Sequence, residues 1–281
     1  MKRKGKVGAL CPWFGSNRSL AENVGRALDG CNWVGVPFAG GMSELIHITA
    51  PTVVVSDLHR HIINLANVLR DNELGPRLIR ELRRLPFHED VLRFAQEQCV
   101  SEAEPVKGDI WERLWNYRDA FNYFVTAWMG RNGRAGARGE FSSGLSVRWD
   151  GTGGDSAGRF RSAVESLRAW RKIMPRCTFL CIDVFDFLDR VQDEQGQGLY
   201  LDPPFPGPGG AYRHTFGEDT HRKLAARLAT FTRCRVICRF YRHPLVEQLY
   251  PASLWEWNDL AGGKTQTNAA APEVLLTRKA G

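Results

Sequence analysis

Gly198-Leu199-Tyr200-Leu201-Asp202-Pro203-Pro204-Phe205 is an apolar run that ends abruptly on an acid, two prolines and an aromatic ring. A short continuous apolar run closed by turn residues predicts a buried strand of a parallel sheet. In open α/β sheets ligands gather at the carboxyl ends of such strands, which is where the tetrapeptide falls. Pro204 has no N–H and a fixed φ, so the turn holds its carbonyls rigidly. The plainer reading is a strand-ending turn, since Asp and Pro are ordinary turn residues.

Carboxylate, rigid carbonyl and aromatic ring together suit one chemistry. The exocyclic amine of a nucleobase is a poor nucleophile because its lone pair is delocalised into the ring. The Asp202 carboxylate and the Pro203 carbonyl would each accept one N–H, favouring a localised, tetrahedral nitrogen and the positive charge that develops on it. Phe205 would stack on the base, which must first leave the duplex.

Working outward, residues Cys31 to Phe38 predict a strand, followed by the glycine turn Ala39-Gly40-Gly41 and a helix start at Met42-Ser43-Glu44-Leu45. Such a turn lets a ligand approach the backbone closely. Thr52-Val53-Val54-Val55-Ser56 predicts a second strand ending at Asp57, seventeen positions after Gly40. An acid about 20 positions on, closing the second strand, binds ribose hydroxyls in nucleotide-type folds. A full G-x-G-x-x-G is absent, which favours a nucleoside cofactor other than nicotinamide.

Val36-Pro37-Phe38-Ala39-Gly40-Gly41, Ser56-Asp57 and Asp202-Pro203-Pro204-Phe205, in this order, resemble the Dam-like (D12 class) adenine-N6 DNA methyltransferases. Gly139-Glu140-Phe141 with Arg134 upstream, and the closing Glu273-Val274-Leu275-Leu276, are further echoes. The resemblance implies transfer of a methyl group from S-adenosylmethionine to N6 of a flipped-out adenine in double-stranded DNA. It implies a Rossmann-like class I methyltransferase fold: a doubly wound α/β sheet of about seven strands, the last antiparallel, with an inserted, mainly helical target-recognition domain. Asp202, Pro203, Pro204 and Phe205 would be catalytic. Trp13, Phe14, Gly15, Phe38, Ala39, Gly40, Gly41, Asp57, Asp183 and Asp202 would hold the cofactor.

The chain departs from the family pattern at named places. The family opens on a Trp, a small residue, two glycines and a lysine; here the stretch is Trp13-Phe14-Gly15-Ser16-Asn17-Arg18, with Asn17 in place of the lysine. Phe205 stands where the family has a tyrosine, keeping the ring and losing a hydroxyl. The Asn-Arg and Phe-Asn-Gly landmarks of the family's middle region are missing. Cytosine-N4 methylation asks the same of the tetrapeptide, although a leading Asp suits the adenine class better. RNA as substrate, and an inactive nucleic-acid-binding protein of the same fold, stay open.

Asp183, after Phe179-Leu180-Cys181-Ile182, occupies a third strand end. The resemblance implies contact with the cofactor's adenine there, with Asp186 as the alternative; as a plain reading, Asp is a favoured helix N-cap.

Helical spacing marks Leu20 to Leu28 and His61 to Leu69, then runs through Leu74 to Trp128 without a strand pattern, its stripe including Ile110, Leu114, Phe121, Phe124 and Trp128. The stripe reads as core. Strands are predicted at Thr178 to Ile182, Leu199 to Leu201, Val236 to Phe240, Leu254 to Trp257 and Val274 to Thr277. Helices are predicted at Val184 to Arg190, Thr220 to Phe231 and Leu245 to Tyr250. The break in βα alternation divides the chain into a cofactor-binding catalytic domain, residues 1–69 and 172–281, and an inserted recognition domain, residues 70–171.

The formal charge is +7, from 38 basic and 31 acidic residues, which suits a polyanion partner. Arg131, Arg134, Arg138 and Arg148, interleaved with glycines, are the expected DNA contacts, since arginine on flexible backbone follows phosphates and forks onto guanine. A solvated loop is the plainer reading. Pro206-Gly207-Pro208-Gly209-Gly210 predicts a loop able to close over a flipped base, with Tyr212 expected against the DNA. His214 reads as a general base or an incidental loop residue, and the methylated amine loses its proton without help.

The seven cysteines include no C-x-x-C pair and no signal peptide precedes them, which points to a reduced, cytoplasmic setting, and the family resemblance implies an intracellular protein of bacterial or phage type. Cys177 with Cys181, and Cys234 with Cys238, read as buried small hydrophobes, at a spacing wrong for zinc, so no metal is expected. No apolar stretch reaches membrane-spanning length, so no membrane partner is expected. Nothing in the sequence sets an oligomeric state.

Overall fold

A computed structural model of the chain describes residues 8–15, 20–99, 116–131, 134–149, 155–207, 212–214, 216–260 and 273–279. Ser16 to Arg18, Ile110, Leu114 and the Pro208 to Gly210 part of the expected loop lie outside the described residues.

Seven strands form one sheet: β1 (Trp33–Val36), β2 (Thr52–Ser56), β3 (Cys177–Leu180), β4 (Gln197–Leu201), β5 (Arg235–Tyr241), β6 (Trp255–Leu260) and β7 (Glu273–Arg278), in the order β3-β2-β1-β4-β5-β7-β6. β1 runs parallel to β2 and β4, and β4 parallel to β5. β7 is antiparallel to both of its neighbours, β5 and β6. The protein is therefore a mixed α/β fold with a mostly parallel sheet and an antiparallel last strand, as expected. Strand order reverses between β1 and β4, which opens a crevice at their carboxyl ends.

The strand sequences account for their positions. β4 and β5 are buried along almost their whole length, as strands covered on both faces must be, whereas β6, at the sheet edge, is buried only at Trp255 and is otherwise half-buried or exposed. Gly35 in β1 has no room for a side chain: a Cβ there would lie 2.8 Å from Leu199 Cδ2 and 2.9 Å from Phe187 Cε1. The strand expected over Cys31 to Phe38 is shorter in the structure, because Pro37 has no N–H to give a ladder.

Helices among the described residues are α1 (Ala21–Ala27), α2 (Arg60–Arg70), α3 (Leu74–Leu82), α4 (Glu89–Gln98), α5 (Tyr117–Met129), α6 (Ser156–Ile173), α7 (Val184–Leu188), α8 (Glu218–Ala229) and α9 (Pro244–Leu249). The chain gathers into two compact units, residues 1–18, 40–46 and 59–181, and residues 19–39, 47–58 and 182–281. Residues 70–171 lie wholly within the first.

In the first unit α2, α3, α4, α5 and α6 pack around Leu65, Leu69, Leu82, Phe124, Leu167 and Trp170. Asn116 caps α5 by accepting from Asp119 N at 3.1 Å, and exchanges two hydrogen bonds with Asn64 of α2, at 2.8 and 3.0 Å. The expected helical stretch from Leu74 thus appears as α3, α4 and α5.

Six cysteines are buried, and Cys181 is exposed. This corrects the expectation that Cys181 is a buried small hydrophobe like Cys177: β3 ends at Leu180, so the strand stops one residue short of it. No helix among the described residues is long and apolar enough to cross a membrane.

Candidate functional site

The end of β4 carries a chain of charges. Asp202 Oδ2 accepts from Arg239 Nη1 at 2.8 Å, and Arg239 Nε donates to Glu273 Oε2 at 2.9 Å. Arg239 lies within β5 and Glu273 opens β7, directly opposite Tyr241 in the antiparallel ladder. The Arg239 and Glu273 side chains are 2% and 3% exposed, and that of Asp202 is 22% exposed. Burial opposes the Arg239 charge, but Asp202, Tyr200 and Glu273 more than offset it and hold the guanidinium well above its ordinary pKa.

The rest of the tetrapeptide packs on the same group. Pro203 is buried and Pro204 half-buried. The buried Phe205 ring meets Tyr241 edge-on, centroids 4.5 Å apart, and lies 5.4 Å from the Arg239 guanidinium carbon. Burial pushes the Tyr212 phenol up; Asp202 adds to this, Arg239 opposes it, and Tyr241 and Asp57 add further. Tyr212, expected against DNA, therefore sits within electrostatic reach of both Asp57 and Asp202.

Behind the tetrapeptide is a buried histidine. His221 of α8, 1% exposed, meets Phe216 edge-on at 4.7 Å, and Phe216 in turn meets Phe38 at 5.7 Å. The Pro204 carbonyl faces the imidazole without a well-aligned hydrogen bond. Burial outweighs that carbonyl and lowers the His221 pKa to about 4, so the ring is neutral at pH 7.

The ends of β1 and β2 are tied together at the crevice. Ala39 N donates to Ser56 O at 3.0 Å, and Ser56 Oγ donates to Ile182 O at 3.0 Å. Asp57, next in the chain, is half-buried, as is Phe38. Asp183 caps α7 by accepting from Phe185 N at 2.8 Å, as the plain reading of that residue expects. The second unit thus brings Phe38, Ala39, Asp57, Asp183 and Asp202 to the carboxyl edge of its parallel strands.

In the first unit, the glycines of the turn pack against the N-terminal segment. Leu10 N donates to Gly41 O at 2.8 Å, and a Cβ on Gly41 would lie 2.7 Å from Cys11 O. The Trp13 indole fills the space beside Gly40, φ 44°, and Gly136, φ 77°, where a Cβ would come within 3.0 and 2.4 Å of the ring. Phe14 N donates to Ala135 O at 2.9 Å, and Trp13, Phe14 and Gly15 are half-buried. Steric room for Trp13 thus gives these glycines a structural reason of their own.

Glu140 and Phe141, noted in the sequence only as landmarks, belong to a buried cluster. His59 Nε2 and Glu140 Oε1 are 2.7 Å apart, and Glu140 Oε2 accepts from Gly136 N at 2.8 Å. Burial pushes the Glu140 carboxyl up, but the His59 bond and charge, the Gly136 N–H and His61 bring it below the ordinary value. His61 stacks on Tyr123 at 5.2 Å, and Phe141 meets His61 edge-on.

Arg131, Arg134, Arg138 and Arg148 are all exposed, and among the described residues none of their side chains is in an ion pair or hydrogen bond. Trp149, beside Arg148, is 94% exposed. No group of three or more His, Cys, Asp or Glu among the described residues is placed to hold a metal.

Arg239 and His221 were not singled out in the sequence, and Glu273 was noted only as the start of the closing strand. One signal was available: Arg239 interrupts the apolar run Val236-Ile237-Cys238-Arg239-Phe240, and a charge inside a buried strand requires a buried counter-charge. Compared with protein-family models and with curated proteins, the chain matches none.

Proposed function

We propose that this protein is a DNA methyltransferase that transfers a methyl group from S-adenosylmethionine to N6 of a flipped-out adenine, on a class I methyltransferase fold whose helical segment 70–171 recognises the target. The observation that carries this reading is Asp202, oriented by Arg239 at the carboxyl end of β4, beside the point where strand order reverses.

The residues at this edge fit such a donor. Asp57 offers a half-buried carboxylate to ribose hydroxyls at the end of β2, Ala39 brings backbone without a bulky side chain, and Phe38 and Asp183 flank them. Trp13, Phe14, Gly15, Gly40 and Gly41 are assigned to the cofactor by the family resemblance alone. When bound, the donor supplies a sulfonium methyl: the amine nitrogen forms the N–C bond as the C–S bond breaks, sulfur keeps the electron pair, and the extra N–H proton leaves to water.

Asp202 and the Pro203 carbonyl accept the two amine N–H groups and stabilise the charge that develops on nitrogen. Phe205 keeps the aromatic wall of the pocket, its ring set by Tyr241 and Arg239. The unpaired Arg131, Arg134, Arg138 and Arg148 are assigned to DNA phosphates and base edges. Expression in a host lacking adenine methylation, followed by mapping of modified bases, tests the reading. N6-methyladenine in a short sequence context is expected, absent with Asp202→Ala, while cofactor binding by calorimetry persists. Modified cytosine, modified RNA alone, or retained activity in the variant overturns it.

A further inference from the structure

On the methyltransferase reading, from which this inference proceeds, we propose that Tyr241 is the ring on which the extruded base lies flat, with Phe205 as its support. β5 then supplies the stacking surface of the pocket, and the tetrapeptide supplies its hydrogen-bond acceptors.

Strand geometry brings the ring there. β5 runs parallel to β4 in a register that pairs Leu201 with Cys238, so the end of β5 arrives beside the tetrapeptide. Side chains alternate along a strand, which puts Arg239 and Tyr241 on the same face. Arg239 reaches Asp202 at 2.8 Å, and Tyr241, two residues on, meets Phe205. Val236 to Phe240 are all buried, and Tyr241 is the first side chain after them to emerge.

The two rings are not equally available. Phe205 is 8% exposed: Tyr241 meets it edge-on at 4.5 Å, Phe240 lies at 6.0 Å, and the Arg239 guanidinium carbon stands over its ring at 5.4 Å. These neighbours leave it little surface for anything as large as a purine. Tyr241 is half-buried, and Phe205 is the one ring it meets among the described residues. The two planes stand 70° apart, so a flat base cannot stack on both. The ring with surface to spare is Tyr241.

The hydroxyl adds a polar tip. Burial raises the Tyr241 phenol above its ordinary pKa, Glu273 and Asp202 add to this, and Arg239 opposes it, so the group is protonated at pH 7. An apolar ring with a neutral polar tip suits a nucleobase, which is apolar on its faces and polar along its edge. Phe205 carries no hydroxyl, so the tetrapeptide itself does not offer that combination. Stacking does not select among bases, because each has a π-face; choice of adenine stays with the acceptors at Asp202 and Pro203.

The test uses the full chain with Tyr241→Leu, which keeps apolar cover over Phe205 and removes the ring, and Tyr241→Phe, which keeps the ring. On an oligonucleotide carrying the mapped site, Tyr241→Leu should lower kcat/KM roughly 5- to 100-fold, as expected for the loss of one base–aromatic stack, while the S-adenosylmethionine Kd stays within about 2-fold. Tyr241→Phe should recover the greater part of that loss. Independently of turnover, fluorine NMR follows wild-type protein carrying fluorotyrosine, with Tyr241→Phe assigning the signal. Excess adenosine, added with S-adenosylhomocysteine filling the donor site, should move the Tyr241 resonance upfield. This second measurement decides the question should Tyr241→Leu not fold. An unmoved Tyr241 signal, or a folded Tyr241→Leu with wild-type kcat/KM, overturns the proposal. If wild-type protein transfers no methyl group, the methyltransferase reading fails, and the fluorine signal still decides whether Tyr241 receives a purine.

Discussion

Lowering the pH from 7 to 5 should cost the folded protein about 2 kcal/mol through His221 alone, since each unit of pKa difference is worth about 1.4 kcal/mol. The imidazole is 1% exposed, and burial holds its pKa near 4 against an ordinary 6.5. The unfolded chain therefore takes up a proton first as pH falls. This contribution is fully present above pH 6.5, declines as pH drops through the window, and levels off below the folded value of about 4. The total loss is ~3.5 kcal/mol, of which a little over half falls between pH 7 and 5, where most ordinary carboxylates stay ionised. The assay is urea unfolding followed by far-UV circular dichroism at pH 7, 6 and 5, on wild type and on His221→Phe. Carboxylates such as Glu140 contribute equally to both proteins, so the wild-type stability minus that of the variant isolates the histidine. That difference should shrink by about 2 kcal/mol from pH 7 to 5, whatever offset the substitution itself introduces. Parallel pH curves for the two proteins would show that the ring is neither neutral nor desolvated, and would refute the reasoning.

Gly136→Ala should destabilise the protein by ~2 kcal/mol or more, because the new Cβ meets the Trp13 ring at 2.4 Å at a left-handed φ of 77°. A thermal melt indistinguishable from wild type would contradict that packing. Native alkylation with iodoacetamide, read by mass spectrometry, should label Cys181 first, since the other six cysteines are buried and burial pushes Cys99 and Cys234 up to about 12. Early labelling of Cys99 would argue against the packing of α4 on α5. Replacing Arg134 and Arg138 together by Ala should weaken DNA binding across sequences and reduce the slope of log K against log salt by about 2. An unchanged slope would reassign those arginines to solvent.

The strands of the parallel sheet were legible because burial on both faces writes itself as a continuous apolar run. Thr52 to Ser56 was readable to the residue. Boundaries failed where a local rule cut the pattern short, as Pro37 does in β1 and as Asp183 does by capping α7 instead of ending a strand. β6 extends beyond its predicted end at Trp257, to Leu260, because an edge strand is defined by its ladder with β7 more than by an apolar pattern. Asp202 was visible as a motif, but its partners were not: Arg239 lies 37 residues later, and Glu273 another 34 beyond that. The turn glycines were read as making room for a ligand. In the structure Trp13 and Cys11 fill that space, a contact between segments that no local pattern encodes.

The place of β7 in the sheet has a consequence for biosynthesis. It is made after both strands it separates, so β5 and β6 cannot pair with it until translation has passed residue 278. Until then β5 presents a bare backbone edge, a template for wrong pairing. Glu273 arrives on that same strand, so a nascent chain holds Arg239 without its second acid. Completion of the sheet and formation of the Arg239–Glu273 ion pair are thus one event, and a ribosome-stalled fragment lacking β7 would have neither.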